Sequence, residues 1–167
     1  MDSEAAGTGG LPVAAPWLVR STSPLHCVLA FLAGAALQQG LDLPAPQDGL
    51  REALHLAGTV LANGGLLLVL WSFALFARRR TTILPGGAPS RLLRNGPFGR
   101  TRNPVYLGML ASYAGLALMF DLPWALALLP VPVWILHAAI LPWEEAALHA
   151  RFGTDYLAYR DAVPRWL

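Results

Sequence analysis

The chain has 167 residues, the length of a single domain. Hydrophobic residues make up 55 % of it and charged residues 13 %, about half of what a soluble domain carries. That balance excludes a disordered chain and argues against a water-soluble globule, so most of the surface is expected to face lipid. All twelve cationic side chains are arginine, and a net charge of +2 is too mild for a nucleic-acid binder.

Residues 1–16 are mostly Gly, Ala and Pro with two acids, Asp2 and Glu4, and residues 1–20 read as a flexible tail. Residues 21–167 then form one integral membrane domain. The first apolar run, Leu25 to Leu37, is 13 residues long. A hydrocarbon core of ~30 Å needs about 20 helical residues, so this run spans only if Gln38 to Leu43 extends it. An interfacial helix and a cleaved leader are the other readings. Against the leader stands an acidic N-terminus with Arg20 its only nearby cation.

Pro44 to Glu52 reads as a polar connection. Ala53 to Ala77 follows, 25 residues without a charge, and Arg78, Arg79 and Arg80 stop it. This is a spanning helix by length and hydropathy. Arg78 to Asn103 is the most polar stretch, with seven of the twelve arginines. A third apolar run, Pro104 to Phe120, ends at Asp121, and a short turn leads into a fourth, Trp124 to Trp143. Pro130 and Pro132 interrupt that last helix and free backbone carbonyls within it. Glu144 to Phe152 carries it on into water. Gly153 suits a helix end, Thr154 an N-cap, and Asp155 to Ala162 a second short helix stopped by Pro164. Tyr156 and Tyr159 share one face of it.

The Arg-rich loop is expected on the cytoplasmic side, which places both termini there too. The outer connections carry Arg51 against Asp42, Asp48, Glu52 and Asp121. The fold class is thus all-α: a helical membrane protein of about four spans with a cytoplasmic C-terminal helical cap.

Three features exceed what spanning requires. One is Asn95-Gly-Pro-Phe-Gly-Arg-Thr-Arg-Asn-Pro-Val-Tyr-Leu-Gly108. The second is the adjacent pair Glu144–Glu145, whose mutual repulsion near low dielectric calls for a cationic partner. The third is Phe152-Gly-Thr-Asp-Tyr-Leu-Ala-Tyr159 with its Val163-Pro164 ending. In this order they resemble the integral membrane methyltransferases that include isoprenylcysteine carboxyl methyltransferase and the phospholipid methyltransferases. The shared pattern is Gly-Pro-Tyr, Arg-His-Pro-x-Tyr-x-Gly, a helical hairpin, Glu-Glu, Phe-Gly-x-x-Tyr-x-x-Tyr and Val-Pro. The resemblance covers residues 78–167. Asn103 stands where the family usually has His, and Phe98 where it often has Tyr. The arginine that carboxyl-methylating members carry one turn before the acidic pair has no counterpart in Ile140-Leu141-Pro142-Trp143.

The resemblance implies an enzyme, an S-adenosylmethionine-dependent methyltransferase. Its methyl acceptor would be lipid-like or small, reached from the inner leaflet of a bacterial cytoplasmic membrane, with the site facing the cytoplasm. The implied cofactor site comprises Leu92, Leu93 and Phe98 around the adenine, Arg102, Asn103, Pro104 and Tyr106 at the start of the third helix, and Glu144 and Glu145 facing the ammonium. Both acids are expected to serve the cofactor, so that neutralising either weakens binding and spares the fold. Asn103 cannot titrate, and no catalytic base is assigned. No Gly-x-Gly-x-x-Gly of the soluble nucleotide-binding type is present. His26, His55, His137 and His149 lack metal-ligand spacing, so no metal is expected, and Cys27 reads as inert. Asn103-Pro-Val-Tyr106 also spells an adaptor-binding motif, but this copy opens a membrane helix. The rival reading is a non-catalytic four-span scaffold or small permease that has lost the cofactor.

Overall fold

A computed structural model describes residues 23–41, 43, 46–79 and 91–167. The expected N-terminal tail, Asp42 and Arg80 lie outside these residues. The described residues are all-helical, with no strand among them. We label α1 Ser23–Gly40, α2 Asp48–Arg79, α3 Pro104–Met119, α4 Pro123–Phe152 and α5 Thr154–Ala162; a 3₁₀ turn, Gly96–Gly99, precedes α3.

α2 and α4, of 32 and 30 residues, are long and apolar enough to cross a membrane. α3 is a shorter apolar helix of 16 residues, and α1 has 18. α2 begins at Asp48, so half of the expected polar connection is its first turn. Asp48 at the start and Arg78 and Arg79 at the end complement the helix dipole. Its outer face is bare: Leu56, Val60 and Leu67 are each about two-thirds exposed, which is how a lipid-facing helix differs from the core helix of a soluble protein.

The other face of α2 is a stripe of small residues, Gly58, Ala62, Gly65 and Ser72, all buried. It meets Gly108, Ser112 and Gly115 of α3 backbone to backbone. The Ser112 hydroxyl donates to the Ala62 carbonyl at 3.2 Å. Between apolar helices in lipid there is no hydrophobic drive to pair, so close dispersion contact and such hydrogen bonds must hold the seam. A Cβ at Gly65 would lie 2.5 Å from the Gly108 carbonyl oxygen, whereas one at the neighbouring Gly64 meets nothing within 4 Å. Gly65→Val is therefore expected to cost more than about 2 kcal/mol through overpacking, and Gly64→Val to be near neutral. Thermal melts of the two variants in detergent check this, and equal midpoints would refute the seam.

α1 packs on the start of α4 through Cys27 and Phe31, with Tyr113 of α3 between them. The Tyr113 hydroxyl donates to the Ala125 carbonyl at 2.8 Å. Pro130 explains why that carbonyl is available. Proline has no N–H for the Leu126 carbonyl, so the Leu129 N–H tightens onto Leu126 and abandons Ala125. The phenol restores the missing bond, as a freed carbonyl at membrane depth requires.

α4 is broken a second time. Leu136–Ile140 forms a π-helical turn, closed by the Leu141 N–H on the Leu136 carbonyl, directly before Pro142. Beyond it the helix carries Glu144 and Glu145 to its end at Phe152. Gly153 makes the turn into α5 with φ +54°. Thr154 is not the N-cap that its sequence suggests: it is the first residue of α5, and no side chain caps that helix. At the opposite end of the bundle Asp121, in the α3–α4 turn, accepts from Arg51 at 2.7 Å and lies 3.0 Å from His55. These two bonds to α2 hold its carboxyl below the usual range against partial desolvation.

Candidate functional site

The site lies where the first turn of α3, the end of α4 and the C-terminal residues meet. Tyr106, on the first turn of α3, donates its hydroxyl to Glu144 Oε1 at 2.7 Å. Glu145 is held differently. Arg102 Nη1 donates to its Oε1 at 2.8 Å, and Arg165 grips both oxygens, Nε to Oε1 at 2.9 Å and Nη2 to Oε2 at 2.6 Å. Neighbours on a helix point about 100° apart, which is how adjacent acids acquire separate partners. The cation that the sequence demanded for Glu145 is thus supplied twice from within the chain. Glu144 has a phenol and, among the described residues, no ion-pair partner.

Arg102 Nη1 also donates to the Tyr156 hydroxyl at 3.2 Å. Its Nε is buried and has no partner among the described residues, in a side chain only 12 % exposed. A buried guanidinium N–H left open beside an acid pair is a donor in search of an acceptor.

The C-terminal segment closes the site. The Arg102 N–H donates to the Pro164 carbonyl at 3.0 Å, and the Arg165 carbonyl accepts from Thr101 Oγ1 at 3.2 Å and from Asn103 Nδ2 at 2.9 Å. Asn103 therefore bonds the C-terminal backbone and does not cap α3. Asn103→Ala should cost about 1 kcal/mol, while Asn103→His keeps an N–H that can serve the same carbonyl. Thermal melts decide: an alanine variant as stable as wild type would show the bond contributes nothing.

Phe98 is buried, edge-on to Phe76 at 5.4 Å, and its carbonyl accepts the Tyr159 hydroxyl at 2.7 Å. Burial pushes both α5 phenols up, Tyr159 to about 12. The neutral donor is favoured by the fold, so its stabilisation is complete below the unfolded value near ~10 and is lost as pH rises from there to about 12. Stability measured between these limits should fall more steeply for wild type than for Tyr159→Phe; parallel curves would contradict this.

The structure thus gathers Arg102, Asn103, Pro104, Tyr106, Glu144 and Glu145 into one site, with Phe98 joined through Tyr159. Leu92 packs against Tyr156, Tyr159 and Val163, next to the Tyr156 hydroxyl that Arg102 bonds, and with Leu93, Leu75, Arg79 and Arg91 it lines a cleft of about 230 Å³. Sequence reasoning missed Thr101, Tyr156 and Arg165 as site residues. The only signal for Arg165 was its place directly after Val163-Pro164, where it reads as one more topology charge.

The phospholipid methyltransferase family profile matches residues 53–155. The chain belongs to that family. The matched stretch runs from the second turn of α2 to the start of α5, so the family likeness includes most of a helix upstream of the residues 78–167 that carry the motifs. It includes both acids, Arg102 and Tyr106, and leaves out Tyr159 and Arg165. Among curated relatives, the chain is similar to protein-S-isoprenylcysteine O-methyltransferase B of Arabidopsis thaliana, 28 % identical over 116 residues, 62 % of this chain and 57 % of that protein. It is also similar to protein-S-isoprenylcysteine O-methyltransferase A of the same plant, 33 % identical over 72 residues, 43 % of this chain and 36 % of that protein. The chain therefore matches little more than half the length of one of these family members and about a third of the other. No solved structure gives a significant match.

Proposed function

We propose that the protein is an integral membrane S-adenosylmethionine-dependent methyltransferase acting on a lipid-like or small acceptor. The observation that carries the proposal is the unequal treatment of two adjacent acids. Glu145 is neutralised by two arginines, while Glu144 has, among the described residues, a phenol alone. A carboxylate so placed fits an ammonium, and the open Arg102 Nε–H fits a carboxylate. Together they match the zwitterionic amino-acid end of the cofactor. Phe98 and the backbone at Leu92 and Leu93 remain the proposed surroundings of its adenine.

S-adenosylmethionine, when bound, supplies an electrophilic methyl carbon on a sulfonium. The residues here would position it for in-line attack and exclude water, and positioning is worth much of such a barrier. Tyr106 fixes the Glu144 carboxylate, and Glu145 fixes the Arg102 guanidinium. A carboxylate or thiolate acceptor needs no base at neutral pH, and no side chain is assigned that role. Ile140 and Leu141 are fully buried in an apolar cluster with Tyr106 and Leu136, so the stretch where carboxyl-methylating relatives carry arginine is filled by hydrocarbon.

Residues 91–103 and 144–167 pack together at one end of the bundle. By the arginine count we place that end, and the site, on the cytoplasmic side of a bacterial inner membrane, with α1 and α3 completing four spans. Calorimetric titration of the purified protein with S-adenosylhomocysteine tests the function. Saturable binding is expected. No binding to folded protein would overturn it and leave the scaffold or permease reading.

A further inference from the structure

We propose that the outer face of α2 pairs with the same face of a second copy of this chain, through Asn63 at its centre. This does not rest on the methyltransferase reading. Residues 53–77 carry no charge, and Asn63 lies ten residues from one end of that run and fourteen from the other, roughly 15 and 21 Å along the helix axis. A side chain as short as asparagine reaches water from neither direction. At 100° per residue Asn63 points away from the stripe of Gly58, Ala62 and Gly65 that packs on α3. Asn63 and Thr59, one turn before it, are both exposed. Around them stand Leu56, Val60 and Leu67, each about two-thirds exposed.

The Asn63 amide is only half satisfied. One N–H donates to the Thr59 carbonyl at 2.8 Å, and the Thr59 hydroxyl donates to the His55 carbonyl at 2.8 Å. The second amide N–H and the amide oxygen have no partner among the described residues. A polar side chain near a helix end would simply mark the interface. At mid-span it meets acyl chains, which offer neither donor nor acceptor, and an amide in hydrocarbon is costly until it is paired. An amide is its own complement, since it carries donor and acceptor together. Two copies inserted alike hold Asn63 at the same depth, and a two-fold axis along the membrane normal lets each amide donate to the other. A different protein would need a polar side chain of its own at this level; a second copy has one by construction. Hydrogen bonds of this kind join apolar helices in lipid, and Leu56, Val60 and Leu67 pack on their own counterparts around the pair.

The test is energy transfer between donor-labelled and acceptor-labelled copies of the purified chain in phosphatidylcholine vesicles, over a series of protein-to-lipid ratios. The label sits on a cysteine at Asp161→Cys, in a Cys27→Ala background. Transfer is expected to follow a monomer–dimer equilibrium. Asn63→Leu should weaken that equilibrium roughly tenfold, and Asn63→Gln, which keeps the amide, should retain most of it. In a second arm, Leu67→Cys in the same background should cross-link between copies on oxidation, whereas Trp134→Cys, at a position 70 % exposed on α4, should not. A chain that stays monomeric at every ratio would overturn the proposal and leave the face to lipid or to another partner. So would an Asn63→Leu variant that associates as tightly as wild type, or equal cross-linking at the two cysteine positions. An Asn63→Leu variant that melts well below wild type would also overturn it, by assigning the amide to the fold of the single chain.

Discussion

Glu144→Gln is expected to lower the affinity for S-adenosylhomocysteine by roughly thirtyfold or more. The substitution is nearly isosteric and keeps an oxygen for the Tyr106 hydroxyl, 2.7 Å away in the native protein. What it removes is the charge. Replacing a charge-assisted hydrogen bond to an ammonium by a neutral one in a half-buried site costs on the order of 2–4 kcal/mol, and each ~1.4 kcal/mol is tenfold in affinity. Without ligand the midpoint should hold or rise, since no cation among the described residues loses a partner and repulsion with Glu145 is relieved. Titration and melt together are diagnostic. An unchanged affinity would remove Glu144 from the site, and a large loss of stability would make it a structural acid.

Glu145→Gln should behave in the opposite way. It strips the shared partner from Arg102 and Arg165, whose side chains are 12 % and 27 % exposed. Two guanidiniums then face each other without their acid. Because the cluster is partly wetted, the expected cost is about 2–4 kcal/mol, between the surface and fully buried limits. Ligand affinity should fall less than for Glu144→Gln, and only because Arg102 loses its tether. The sequence alone leads to the same pattern for both acids, weaker at Glu145, with stability spared in each. A Glu145→Gln variant that melts with wild type yet loses the ligand would restore that view.

Much of the architecture is legible in the chain because it is written locally. The end of α2 and the limits of α3 follow from runs of apolar residues that stop at Arg78 and Asp121 and start at Pro104, whereas the start of α2 at Asp48 lies inside what reads as a polar connection. The motif residues announce one site, and Arg102, Tyr106, Glu144 and Glu145 do meet at one end of the bundle. What is not legible depends on partners distant in sequence. Nothing near Glu145 shows that Arg165 will grip it, and nothing near Asn103 shows that its amide will face the Arg165 carbonyl. The Tyr113 bond to Ala125 needs both the proline at 130 and the packing of α3 on α4 before it exists. The small-residue stripe of α2 went unread within an apolar run: Gly58, Ala62 and Gly65 recur at helical spacing, but the pair Gly64–Gly65 hides that only one of the two glycines meets α3. The π turn before Glu144 has no signature beyond Pro142 following it.

The seam between α2 and α3 has a mechanical consequence. With glycine carbonyls against glycine backbones from the Gly58–Gly115 contact to the Gly65–Gly108 contact, little long side chain is left between the two helices to shear, and they are expected to move as one stiff unit. α4 is built on the contrary plan, its ladder of bonds interrupted at Pro130 and again through Leu136–Ile140. Any bending of the bundle is thereby concentrated in α4, on the stretch immediately before the two glutamates. Glu144 is carried by the compliant member and Tyr106 by the rigid one, so the 2.7 Å bond between them is the point at which flexure of one would be felt against the other.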